Sequence, residues 1–145
     1  MRKLLAMIAV VCVSTATSAL AQDCSSAGTI GTGGSASAGG TSASSVGTAG
    51  ACQTDGGNSS SIASGGSAAS DGGKAMSKTH VNENGDKLKA QTKAQAVDKG
   101  TFSKSRTKTS TDGDSLQSTT RTMSHVPGQK PVKSTTNQNV ILPEE

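Results

Sequence analysis

The chain contains SKTHVNENGDKLKAQTKAQAV at residues 77–97 and SRTKTSTDGDSLQSTTRTMSH at residues 105–125. Aligned without gaps at an offset of 28, the two stretches are identical at six of 21 positions and exchange Lys for Arg or Asn for Asp at three more. Leu88 and Leu116, the only leucines between residues 74 and 126, align with each other. A repeat of this length indicates one supersecondary unit used twice. We therefore expect the two stretches to share a structure.

Each repeat carries a hairpin signal near its centre. Asn84-Gly85 and Asp112-Gly113 suit a type I′ turn, which needs positive φ at both central residues. Lys99-Gly100 supplies a third two-residue turn between the repeats. These turns predict a small four-stranded antiparallel meander at about residues 74–126. The predicted cross-strand pairs are Val81–Leu88, Val97–Phe102 and Thr109–Leu116.

The predicted strands separate basic from small side chains, because successive residues of a strand point to opposite faces. One face collects Lys78, His80, Lys87, Lys89, Lys93, Lys104, Arg106, Lys108, Arg121 and His125. The other collects Thr79, Val81, Leu88, Ala90, Thr92, Ala94, Ala96, Ser105, Thr107, Thr109, Leu116 and Ser118. Disorder is one alternative for this segment, and a helix over residues 86–99 is another, since Lys, Ala and Gln favour helices and Gly100 suits a C-terminal cap. The two-residue spacing of Leu88, Ala90, Ala94 and Ala96 favours a strand.

The positive charge is concentrated in the repeat segment. Residues 74–133 hold 12 Lys and Arg against five acids, whereas residues 22–73 hold no Lys or Arg. Rows of basic residues favour a solvated face that keeps a sheet soluble and guards its edges. The alternative is an anionic partner, such as an acidic polysaccharide, lipopolysaccharide, a phospholipid surface or nucleic acid. The candidate anion-binding residues are Lys78, Lys87, Lys89, Lys93, Lys104, Arg106, Lys108 and Arg121.

The N-terminus has the three parts of a bacterial-type secretory signal peptide. Arg2 and Lys3 precede an apolar run at residues 4–13, and Ala19-Leu20-Ala21 is an A-x-A cleavage site. We expect a signal helix at residues 1–21 that is cleaved after Ala21, which sends the protein to the periplasm or the extracellular space. The mature chain then has 124 residues and a net charge of +2.

Cleavage also leaves an even number of cysteines. Cys24 and Cys52 remain, and an oxidising compartment favours a disulfide between them. Closing a loop of this size stabilises a fold by roughly 3 to 4 kcal/mol in the chain-entropy description.

The mature chain is poor in large apolar residues. Leu, Ile, Val and Phe together provide 13 of its 124 residues, well below the roughly 20% at which chains struggle to form a core. We therefore expect a mostly disordered low-complexity chain: a Gly/Ser/Ala/Thr-rich flexible segment at residues 22–73 and a disordered tail at residues 127–145, with the all-β meander between them.

The sequence offers little enzyme chemistry. No Ser-His-Asp, Cys-His or metal-ligand spacing is present, so we expect no catalytic residue, metal site, cofactor or small-molecule substrate. The leading interpretation is a small exported, non-enzymatic envelope or secreted protein with a structural or interaction role. The alternatives are a binding module for anionic polymers and a secreted effector or inhibitor that folds on its target.

Overall fold

The protein is all β in the computed structural model, which describes residues 24–84 and 87–143. The strands are β1 (Ser26–Ala38), β2 (Thr41–Thr54), β3 (Gly57–Ser70), β4 (Lys74–Asn84), β5 (Lys87–Asp98), β6 (Thr101–Asp112), β7 (Ser115–His125) and β8 (Val132–Ile141). They form two antiparallel meanders, β1-β2-β3 and β4-β5-β6-β7-β8. The prediction of antiparallel β structure is confirmed, and the prediction of a mostly disordered chain is wrong.

The two sheets pack face to face. β1 lies over β7, β2 over β6 and β3 over β5, so the three-stranded sheet covers the middle of the five-stranded one. The predicted signal peptide at residues 1–21 falls outside the described residues. Within the part of the chain that the structure describes, no helix has the length and apolar character needed to cross a membrane.

The two sequence repeats form two hairpins of identical register. In β4–β5 Glu83 pairs with Leu88, and at the equivalent place in β6–β7 Thr111 pairs with Leu116. The predicted partners of the two leucines, Val81 and Thr109, lie two residues farther from the turns, so both outer registers were wrong by two. The middle register is confirmed, with Val97 opposite Phe102, and the helical alternative for residues 86–99 is wrong because β5 occupies Lys87–Asp98.

The predicted faces survive this shift in register. A displacement of two residues returns every side chain to the face it started on, whereas a displacement of one would exchange the faces. The basic side chains of β5 and β6 therefore point to solvent as expected. The small side chains face the other sheet, where Ala90, Thr92, Ala94 and Ala96 are buried.

Residues 26–70 form a sheet, so the prediction of a flexible segment at residues 22–73 is wrong for these three strands. Two-residue turns at Gly39-Gly40 and Asp55-Gly56 join its three strands. Both glycines of the first turn have positive φ, 37° and 74°, as a tight hairpin requires. Small side chains let this sheet approach its partner closely. A Cβ atom on Gly34 would lie 2.7 Å from Cγ2 of Thr122 in β7.

Hydroxyl groups fill much of the space between the sheets. Ser45 Oγ of β2 lies 2.7 Å from Ser105 Oγ and 2.8 Å from Thr107 Oγ1, both on β6. Thr32 of β1 is bonded in the same way to Ser118 on β7, at 2.5 Å. Because each of these buried hydroxyls has a partner, the desolvation cost that an unpaired polar group would carry is avoided at these positions. The fold therefore does not depend on large apolar side chains alone.

One end of the sandwich has a conventional apolar cluster. Its buried members are Ile30, Ala49, Ala51, Leu116 and Leu142. Leu142 is only 4% exposed and follows β8, which pairs along β7. The prediction of a disordered tail at residues 127–145 is therefore wrong for β8 and Leu142. At the same end the predicted disulfide between Cys24 and Cys52 is confirmed, with the two Cα atoms 5.5 Å apart.

Candidate anion-binding face

The outward face of the five-stranded sheet carries ten basic side chains, which we call the basic face. They are Lys74, Lys78, Lys87, Lys89, Lys93, Lys104, Arg106, Lys108, Arg121 and Lys133. All eight predicted anion-binding residues belong to it, and all eight are exposed. Sequence reasoning did not select Lys74 and Lys133. Lys74 precedes the first repeat, and Lys133 lies on β8, a strand that the prediction lacked.

Four of these residues form an uninterrupted row across the strands, which we call the cationic ladder. Lys78 of β4 pairs with Lys93 of β5, Lys93 with Arg106 of β6, and Arg106 with Arg121 of β7. Neighbouring strands lie about 4.8 Å apart, so four basic residues stand directly side by side over about 14 Å of the sheet. The opposition of Lys93 and Arg106 follows from the predicted middle register.

The cationic ladder is also what the two repeats have in common. Lys78 and Arg106 occupy equivalent positions of the repeats, and so do Lys93 and Arg121. At no other aligned position of residues 77–97 and 105–125 are both residues Lys or Arg. Because the two hairpins have the same register and the middle turn keeps them aligned, two repeated basic positions produce one row of four.

Acidic neighbours are scarce on the basic face. Among the described residues, Asp112 is the only acid there, and its carboxylate accepts a 2.9 Å hydrogen bond from Lys87 Nζ. The hydrogen bond and the negative charge of Asp112 raise the pKa of Lys87 above its ordinary value. Lys87 is therefore the predicted residue least available to an external anion. Arg106 is oriented by a neutral partner, since its Nη2 donates to Oε1 of Gln91 at 2.5 Å.

A shallow groove of about 280 Å³ lies beside the cationic ladder. His80, Lys89, Gln91 and Lys108 are among the residues that line it. His80, Gln91 and Lys108 form the row adjacent to the ladder on β4, β5 and β6. The groove thus presents two ammonium groups, an imidazole and the amides of Asn82 and Gln91 to a bound group.

Phe102 is the only Phe, Tyr or Trp residue in the sequence, and it lies at one end of the basic face. Phe102 packs against the ring of His125, with 5.2 Å between ring centroids, and Lys104 Nζ lies 4.7 Å from its centroid. Stacking of successive bases needs several accessible aromatic rings. The basic face therefore lacks the platform that single-strand nucleic-acid binders use.

The opposite surface of the sandwich differs sharply in charge. The outward side of β1, β2 and β3 consists of Gly, Ala, Ser and Thr with Val46 and Cys52, and it carries no charged residue. Within the described ranges, no group of three or more His, Cys, Asp or Glu residues is placed to hold a metal ion. Among the described residues, the Lys and Arg side chains therefore lie on the basic face or in the turn and loop beside it, and none lies on the outward side of β1–β3.

Comparisons with protein-family models, with curated proteins and with solved structures find no match to this chain. The function is therefore inferred from the surface itself.

Proposed function

We propose that the protein is an exported, non-enzymatic binding module that holds an anionic polymer on its basic face. The cationic ladder is the observation that carries this proposal. It gives the structural or interaction role expected from the sequence a definite surface and a definite class of partner.

In the absence of a ligand, repulsion between the like charges of the cationic ladder lowers the stability of the folded protein. Like charges directly opposite each other on neighbouring strands destabilise a sheet by roughly 0.2 to 1 kcal/mol for each pair, less when salt screens them. The ladder contains three such pairs. An anionic polymer would neutralise all four residues at once and release condensed counterions. Because binding would also remove the repulsion between the four residues, the relief of that repulsion would add to the affinity.

Export agrees with such a partner. The predicted signal peptide directs the chain out of the cytoplasm, and a disulfide such as Cys24–Cys52 persists in oxidising compartments. Acidic polysaccharides, lipopolysaccharide and extracellular nucleic acid are the polyanions found there. The uncharged outer surface of β1–β3 leaves the basic face as the side that such polymers would contact.

Chromatography of the disulfide-bonded mature protein, residues 22–145, tests the proposal. We expect retention on dextran sulfate at low salt, elution as salt rises, and no retention on uncharged dextran. The double substitution Lys93→Gln/Arg106→Gln, which we call the ladder variant, should elute at clearly lower salt because two adjacent rungs are lost.

The matched control is Lys99→Asn/Lys130→Gln, which we call the turn variant. It removes the same charge from the β5–β6 turn and the β7–β8 loop, and Asn tolerates the positive φ of 45° at Lys99. We expect the turn variant to elute close to the wild type. Retention on uncharged dextran, or equal shifts for the ladder and turn variants, would contradict the proposal.

A further inference from the structure

We infer that the ligand of the basic face is a linear polysaccharide with one carboxylate on each sugar ring, lying across the strands along the cationic ladder. This inference rests on the proposed function and specifies its partner. The direction of the ladder, the spacing of its charges and the neighbouring polar side chains carry it.

The longest uninterrupted row of positive charge runs across the strands and not along them. Across the strands the ladder places four basic residues about 4.8 Å apart, whereas outward residues of one strand stand about 6.8 Å apart. Along β6 the row stops after Lys104, Arg106 and Lys108. Along β5 it is interrupted by Gln91. A ligand that matches the face best therefore crosses β4 to β7 with closely spaced charges.

Arginine favours carboxylates within that row. Arg106 and Arg121 each present a planar guanidinium group that can bind a carboxylate through two parallel hydrogen bonds. Lys78 and Lys93 at the other rungs act as point charges. A carboxylate on every sugar ring would meet one rung after another, whereas a chain with widely spaced charges would leave rungs unpaired.

The rows flanking the ladder suit sugar hydroxyls better than bases. Gln95 lies beside the ladder on one side, and Gln91 and Thr119 lie beside it on the other. Amides and hydroxyls both donate and accept, as sugar hydroxyls do. The chain's lone Phe is already covered by His125 and Lys104, so stacking of nucleobases would gain little.

The groove beside the ladder provides a place for a ring substituent. Lys89 and Lys108 line it on neighbouring strands, together with His80. A polymer lying on the ladder would pass directly along this groove, because the His80, Gln91 and Lys108 row adjoins the ladder row. A ring or a side branch bearing a second acidic group would fit there.

Binding of oligogalacturonates of two to eight rings to the mature protein tests the inference by calorimetry at low salt. We expect affinity to rise with each ring up to four, one for each rung, and to change little for longer chains. Oligodeoxythymidine with the same number of charges should bind more weakly. Oligogalacturonates with methyl-esterified carboxylates should not bind measurably.

Two single substitutions test the direction of the ligand. Lys78→Gln removes the end rung of the ladder, and Lys104→Gln removes the neighbour of Arg106 along β6. We expect Lys78→Gln to weaken tetragalacturonate binding about two- to fivefold, as for one exposed ion pair, and Lys104→Gln, which lies on the basic face but outside the ladder, to weaken it less. Both side chains are exposed, and thermal melts should confirm that both variants fold.

The outcomes separate this inference from the proposed function. Tighter binding of oligodeoxythymidine than of oligogalacturonate, or no length dependence up to four rings, overturns the polysaccharide as the ligand. A larger loss with Lys104→Gln than with Lys78→Gln overturns its direction. Each of these results leaves the proposed polyanion binding intact. If dextran sulfate, oligogalacturonates and oligodeoxythymidine all fail to bind at low salt, both the inference and the proposed function are overturned.

Discussion

Replacing Gly47 with alanine tests the close packing of the two sheets. Gly47 lies in β2 and faces β6, where a Cβ atom would fall 2.7 Å from Thr107 Cγ2 and closer still to Thr109 Oγ1. Neither threonine is free to move away. Thr107 Oγ1 lies 2.7 Å from Thr120 Oγ1, and Thr109 Oγ1 lies 2.9 Å from Ser118 Oγ.

The cost follows from this geometry. Overpacking a well-filled core costs typically 1 to 3 kcal/mol. Displacing a threonine hydroxyl from its partner adds about 0.5 to 1.5 kcal/mol. Replacing a strand glycine with alanine by itself stabilises the folded state by roughly 0.5 to 1 kcal/mol. We therefore expect Gly47→Ala to lower the free energy of unfolding by about 0.5 to 4 kcal/mol.

Gly50→Ala is the matched control, because Gly50 lies on the same strand and points to solvent. A Cβ atom there would meet Ser61 Oγ at 3.5 Å and Thr29 Cγ2 at 3.6 Å, which are ordinary contacts. We expect this variant to be unchanged or stabilised by up to about 1 kcal/mol. Urea denaturation of both disulfide-bonded variants, followed by circular dichroism, measures the difference. Equal unfolding midpoints for the two variants would refute close packing at Gly47.

Three further predictions concern other parts of the fold. Cys52→Ala should lower the free energy of unfolding by roughly 3 to 4 kcal/mol, and the loss should match that caused by reducing the wild type under the same urea titration. Thr107→Val should cost about 1 to 3 kcal/mol because it removes two buried hydrogen bonds, those to Ser45 and Thr120, whereas Thr119→Val on the outer face should be nearly neutral; equal effects would contradict the hydroxyl-bonded core. Because Asp112 raises the pKa of Lys87 in the folded state, the associated stability is present below the unfolded pKa of about 10.5 and is lost as pH rises through the folded pKa. Asp112→Asn should flatten that alkaline loss in urea titrations across this pH range, and an unchanged slope would count against the pair.

The repeat segment was the part of the fold that the sequence could predict. Its alternation of basic and small residues fixed the faces of β4–β7, and the turn at Lys99-Gly100 fixed the middle register. The outer hairpins close at Asn84–Lys87 and Asp112–Ser115, two residues from the predicted register. Alternation cannot detect that error, because a shift of two leaves every side chain on its own face.

The N-terminal sheet was missed because only large apolar residues were counted as able to form a core. Two signals were present: Gly39-Gly40 and Asp55-Gly56 are both two-residue hairpin turns, and Ala43, Ala49 and Ala51 share one face of β2. Large apolar side chains are needed when sheets stand at their usual separation. Here small residues and paired hydroxyls replace them, and the sequence gives no direct sign that hydroxyls of distant strands will meet.

The candidate site was predicted as a set of residues but not as an arrangement. The sequence placed eight basic residues on one face, yet the row of four depends on three registers, two of which were wrong by two residues. The errors in the two hairpins are identical because the repeats are equivalent, and in the observed registers Lys78 meets Lys93 and Arg106 meets Arg121.

The cost of this arrangement is the reason to regard the cationic ladder as functional. A solvated basic face needs charge but no particular register, and a lysine at position 76 or 80 in place of Lys78 would face Gln95 or Gln91 and relieve one repulsion without changing its face. The repeats have diverged at most positions, including every other basic one, yet both retain Lys or Arg at the two rungs. A bound polyanion supplies what the solvated alternative lacks, a favourable interaction that requires these charges to stand side by side. If so, the ladder variant should unfold at higher urea than the wild type in the absence of ligand and should gain less stability from added oligogalacturonate. A ladder variant that is less stable than the turn variant without ligand would show that the row serves the fold itself.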